Sequence, residues 1–110
     1  SLLLLDEPFA ALDNLSREII STELVSIIKK NSLTVLMVTH SIEEAALLSD
    51  EVLITGIEPL RVIKKFNPPK YFNNQSWQKL GLRKSLQNKY FNAYLKSIRD
   101  TSYSILQKEK

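Results

Sequence analysis

The chain has 110 residues, enough for one small domain or a piece of a larger one. Its 44% hydrophobic and 25% charged content is ordinary for a soluble globular protein. No run of about 18 apolar residues is present, which excludes a transmembrane helix, and no secretory signal is visible. The absence of cysteine excludes disulfides and cysteine-ligated metals, and fits a reducing compartment. The first residue is Ser1 rather than Met, so the sequence is expected to be processed or cut from something longer.

The net charge of +3 conceals an asymmetry. Residues 1–60 carry ten acids and three bases, a net −7, whereas residues 61–110 carry twelve bases and two acids, a net +10. Two readings stand: a well-solvated Lys/Asn-rich tail, or a basic face for a membrane-associated partner, anionic lipid or nucleic acid.

The predicted elements alternate. Leu2–Leu5 is a continuous apolar run, as in a strand buried on both faces, and Pro8 ends it because proline cannot donate to a ladder. Asp13 or Asn14 can cap a helix in which Leu15, Ile19, Leu24, Ile27 and Ile28 recur at helical spacing to about Lys30. Asn31-Ser32 reads as a turn, and Thr34–Val38 as a second strand. Ile42–Leu48 reads as a short helix with Glu43 and Glu44 in its first turn, where the helix dipole favours them. Val52–Thr55 and Leu60–Lys64 read as further strands joined through Gly56 and Pro59. A strand–helix–strand–helix–strand order predicts a parallel sheet in an α/β fold. Pro68-Pro69 marks a linker. From about Ser85, residues Leu86, Tyr90, Tyr94, Leu95, Ile98, Ser102 and Ile105 fit one or two amphipathic helices. Trp77 and the tyrosines read as packing residues, and no nucleic-acid signature accompanies them.

A buried parallel strand ends at the carboxyl edge of its sheet, where α/β proteins hold ligands. Asp6 and Glu7 stand at that edge. Adjacent residues of an extended chain point oppositely, so the two acids are expected to have separate roles. One Asp, often through water, suffices for Mg²⁺, and a second carboxylate beyond a γ-phosphate can polarise an attacking water. Taken alone, an Asp-Glu pair after an apolar run is also the composition of a surface turn, and a lone His after a strand can equally be structural.

Two longer stretches weigh against the plainer readings. "LLLLDEPFAALD" resembles the Walker B motif, catalytic glutamate and D-loop of ATP-binding cassette (ABC) ATPases. "VLMVTHSIEEAALLSDEVLI" resembles their H-loop strand, switch histidine and following helix. The resemblance covers about residues 1–64, in the family's order and at about its usual separation. The "DEPFAALD" form looks most like importer ATPases, and the tail is similar to the nitrate/sulfonate/taurine importer group.

The resemblance implies a partial P-loop NTPase (RecA-like) parallel sheet with flanking helices, followed by a C-terminal helical tail. Residues 1–64 would be the C-terminal part of the ATPase core, and residues 65–110 a linker and basic helical extension. It implies Asp6 as the Mg²⁺ ligand, Glu7 as general base or water-orienting residue, Asp13 as the D-loop aspartate facing a second cassette, and His40 against the γ-phosphate. Ser41 departs from the family, which commonly has Asp there. ATP and Mg²⁺ are the implied cofactors. A second ABC ATPase subunit, transmembrane permease subunits and an N-terminal half of the domain are the implied partners, and nucleic acid is not expected. The implied location is cytoplasmic, peripheral on the inner face of the cell membrane.

The sequence has no G-x-x-x-x-G-K-S/T, and its only glycines are Gly56 and Gly81, so it builds no phosphate-cradling loop. The family's glutamine loop and signature motif are also absent from it. The expectation is a C-terminal fragment beginning at Walker B that is unstable or self-associating alone and hydrolyses no ATP. The alternatives are a non-catalytic remnant or interaction module of the same ancestry, and a non-transport ABC ATPase contacting nucleic acid.

Overall fold

The structure is a computed structural model that describes residues 2–57, 60–68, 81–82 and 84–109. Strand β1 (Leu2–Asp6) and strand β2 (Thr34–Val38) pair in parallel, from Leu2 opposite Thr34 to Asp6 opposite Val38. Helix α1 (Asn14–Lys30) is the crossover between them, as parallel pairing requires. Asp13 caps α1: its carboxylate accepts from the Ser16 amide at 2.7 Å. At the other end Asn31 terminates the helix, its amide donating to the Ile27 carbonyl, and Ser32 follows with a left-handed φ of +50°.

Helix α2 (Ile42–Leu48) follows β2 and is capped by Ser41. Strands β3 (Val52–Ile57) and β4 (Leu60–Phe66) then form a second, separate sheet. They pair antiparallel, from Val52 opposite Phe66 to Ile57 opposite Leu60, with an irregularity between Ile54 and Thr55. The strand order predicted a third parallel strand, but β3 instead takes its hydrogen bonds from its sequence neighbour. Ile57 already pairs with Leu60, so β4 returns beside β3 within a few residues of sequence, and that local closure is cheaper than a crossover. The molecule is thus a small α/β domain with a short parallel sheet and a C-terminal helix.

That helix, α3 (Lys89–Glu109), starts four residues later than the apolar spacing alone indicates. Asn88 interrupts: its Oδ1 accepts from the amides of Tyr90 at 2.8 Å and Phe91 at 3.1 Å, so that Lys84 and Ser85, also helical, are set off from α3 by the Leu86–Gln87 turn. The linker reading at Pro69 and the packing role of Trp77 lie outside the described residues.

The core forms where α2, β3 and α3 meet. Phe91, Tyr94, Leu95 and Ile98 fall on one stripe of α3 and pack on Ala46 and Leu47 of α2 and Val52 of β3. Each large side chain so buried contributes about 1.5–3 kcal/mol. Burial also pushes the Tyr94 phenol up to about 12. Two ion pairs tie the basic half to the acidic one: Arg99 with Glu43 at 3.7 Å and Lys65 with Glu51 at 3.1 Å.

Burial of β1, expected on both faces, is not found. Leu2 and Leu4 are 65% and 66% exposed, because among the described residues only β2 flanks the strand and no second layer covers those side chains. The apolar face of α1 is exposed at Leu15, Ile19 and Ile27. Among the described residues no helix is long and apolar enough to cross a membrane.

Candidate functional site

The carboxyl ends of β1 and β2 lie side by side, and three of the predicted site residues, Asp6, Glu7 and His40, emerge from them. Asp6 is the last residue of β1, exposed, opposite Val38. Glu7 extends the ladder by one bond, donating its amide to the Val38 carbonyl at 2.8 Å. Its backbone then turns sharply, with φ at +47°. Proline next in the chain disfavours the right-handed helical region for Glu7, and a left-handed turn redirects the chain instead. Phe9, two residues on, is buried and anchors the turn.

The turn carries the Glu7 carboxylate across to the loop after β2. Glu7 Oε1 accepts from the His40 amide at 2.7 Å and lies 3.6 Å from His40 Nε2. The His40 ring is otherwise in solvent, its side chain 97% exposed, whereas that of Glu7 is 31% exposed. An acid and an imidazole thus share one volume at neighbouring strand ends, open to a ligand from outside.

The flanking loops are hydrogen-bonded in detail. The Ser41-x-x-Glu44 spacing is that of a capping box, in which each side chain would cap the other's amide. Only half is made: Ser41 Oγ accepts from the Glu44 amide at 3.2 Å. The Ser41 amide donates instead to Thr39 Oγ1 at 3.0 Å. Glu44 therefore turns elsewhere, its Oε2 accepting from Thr39 Oγ1 at 3.0 Å and its Oε1 facing Arg17 Nε at 3.5 Å. Arg17 Nη2 donates in turn to the Leu12 carbonyl at 3.2 Å. Arg17 and Thr39 were not among the predicted site residues, and Glu44 was read only for its place in the helix dipole. The capping-box spacing is the one sequence signal that marks Glu44.

Asp13 sits apart from the Glu7–His40 pair, exposed at the head of α1. The hydrogen bond from the Ser16 amide, then one from its hydroxyl, holds the Asp13 carboxyl below its ordinary value of 3.8. Among the described residues no cluster of three or more His, Asp or Glu side chains could hold a metal ion. A lone exposed carboxylate such as that of Asp6 is compatible with Mg²⁺, which leaves most of its positions to water and phosphate oxygens.

Comparison with known proteins adds identity. The chain is 39% identical, over 89% of its length, to an uncharacterised ABC transporter ATP-binding protein of Methanocaldococcus jannaschii, of which it covers 38%. It is 48% identical over 60% of its length to a taurine import ATP-binding protein of Rhizobium johnstonii, covering 25% of that relative. The chain matches part of ABC transporter ATP-binding proteins, import subunits among them. A third such ABC relative, the formylaminopyrimidine import ATP-binding protein of Halalkalibacterium halodurans, is 48% identical over 63% of the chain, which covers 28% of it. The chain thus spans between a quarter and two fifths of the length of these ABC relatives. No family model matches it.

Proposed function

We propose that this sequence supplies the magnesium- and base-bearing half of the ATP site in an ABC importer ATPase, on a partial RecA-like core. Residues 1–64 are the core part and residues 65–110 the linker and basic helical extension. The observation that most supports this reading is the single contact of Glu7 Oε1, 2.7 Å from the His40 amide and 3.6 Å from its Nε2. Glu7 orients the attacking water and takes its proton, and His40 donates a hydrogen bond toward the γ-phosphate. Asp6 holds Mg²⁺ directly or through water. Asp13 faces a second ATPase subunit. The metal, when bound, neutralises charge on the phosphate oxygens.

No glycine loop for phosphates is encoded in these 110 residues, so the chain by itself hydrolyses no ATP. Turnover takes a Walker A and a signature segment, in the same polypeptide or another. The completed ATPase works with transmembrane permease subunits, on the cytoplasmic face of the membrane. The relatives' names, taurine import and formylaminopyrimidine import, support the importer class without fixing a solute.

Glu7→Gln in the completed ATPase tests the assignment. Loss of a general base predicts a fall in kcat of about 100-fold or more with ATP binding retained. Turnover near that of the unsubstituted enzyme overturns it.

A further inference from the structure

We infer that Arg17 and Glu44 are positioning residues forming a strut that locks the Leu12–Asp13 turn to the Thr39–His40–Ser41 turn, so that the loops bearing Asp13 and His40 move together. The guanidinium spans the gap: Nη2 holds the Leu12 carbonyl at 3.2 Å and Nε faces Glu44 Oε1 at 3.5 Å. The other oxygen of Glu44 takes the Thr39 hydroxyl at 3.0 Å, and that hydroxyl accepts the Ser41 amide at 3.0 Å. The path between the two turns is therefore continuous, through five groups in hydrogen-bond or ion-pair contact.

Three features make it a strut. The rigid guanidinium plane fixes the Leu12 carbonyl, which it hydrogen-bonds through Nη2, relative to Glu44, which it meets as an ion pair through the buried Nε, an atom with no hydrogen bond of its own. The Glu44 side chain is only 13% exposed, so its charge is poorly screened and removal of Arg17 strands it. The usual capping-box partner of Glu44, the Ser41 amide, is already taken by Thr39, so the carboxylate has no equally good second position. The plainer role, pinning α1 to α2, needs only the ion pair and leaves the Thr39 link idle.

That Asp13 and His40 face nucleotide rests on the function proposed above; the strut does not. His40 is the only histidine, so its ring signal in a proton–carbon NMR spectrum of this chain, recorded in a Leu4→Lys background that opposes self-association, reports on one loop alone. Arg17→Gln is expected to shift the His40 cross-peak in the direction that Glu44→Gln shifts it, with the double variant moving it no further. Thr39→Val shifts it likewise and Thr39→Ser, which keeps the hydroxyl, leaves it in place. Lys29→Gln, at the far end of α1, leaves it in place too. Should Arg17→Gln unfold, Arg17→Lys keeps the charge without the fork and moves the peak part of the way. An unmoved His40 signal in the folded Arg17 variant, or additive shifts in the double variant, overturns the strut. A failed ATPase assignment leaves these results standing, since the measurement needs no nucleotide.

Discussion

Glu7 presents its carboxylate from a backbone held at φ +47°. A left-handed conformation costs a non-glycine residue about 1–2 kcal/mol, and such strain concentrates where a side chain must be aimed. Here the aim is the His40 amide. Glu7→Ala and Glu7→Gly both remove the carboxylate, and only glycine removes the strain. The glycine variant is therefore expected to be the more stable of the two by up to about 1 kcal/mol, read from urea midpoints. Equal midpoints, or a more stable alanine variant, would show that the turn stores nothing. At this scale the sequence makes legible the placement of Asp6 and Glu7 at the end of β1 and of His40 just past β2, because an apolar run that gives way to polar residues marks a strand end in one dimension. Arg17 and Thr39 are not legible that way. Their meaning comes from Glu44, whose carboxylate abandons the local cap for partners 27 residues upstream and five residues back.

Among the elements, α3 carries the largest share of the core. Ile98 is 1% exposed, against α2 and β3. Ile98→Ala is expected to cost about 2–5 kcal/mol, a large part of the roughly 5–15 kcal/mol that holds a domain folded. A loss under about 1 kcal/mol in denaturant titration would mean that the helix is not docked through this face. The bounds of α1, β2 and α2 follow from caps and periodicity, signals that lie within a few residues of each terminus. Strand partnership is not so encoded. Val52–Ile57 has the composition of a strand in either sense, and only its short return to Leu60 decides for the antiparallel one.

For the whole molecule, the apolar area left open is the main fact. Leu2, Leu4, Leu36 and Val38 on the parallel sheet and Leu15, Ile19 and Ile27 on α1 are all more than half exposed. Paired strands with open edges and apolar faces template their own association. The isolated chain is expected to sediment as oligomers, and Leu4→Lys to shift it toward monomer. A monomer with a cooperative melt before any substitution would contradict this. Charge asymmetry was legible in composition, and part of its use is internal, as the Arg99–Glu43 and Lys65–Glu51 pairs make plain. The buried cluster, meanwhile, is built from α2, β3 and α3, and Asp6, Glu7, Asp13 and His40 belong to none of them. The corner that carries Glu7 and His40 is thus the lightly ballasted side of the molecule, where amide protons are expected to exchange soonest. A surface that packed on the open face of β1 would stiffen that corner as it joined, so on the function proposed above, tightening and competence would come in a single event.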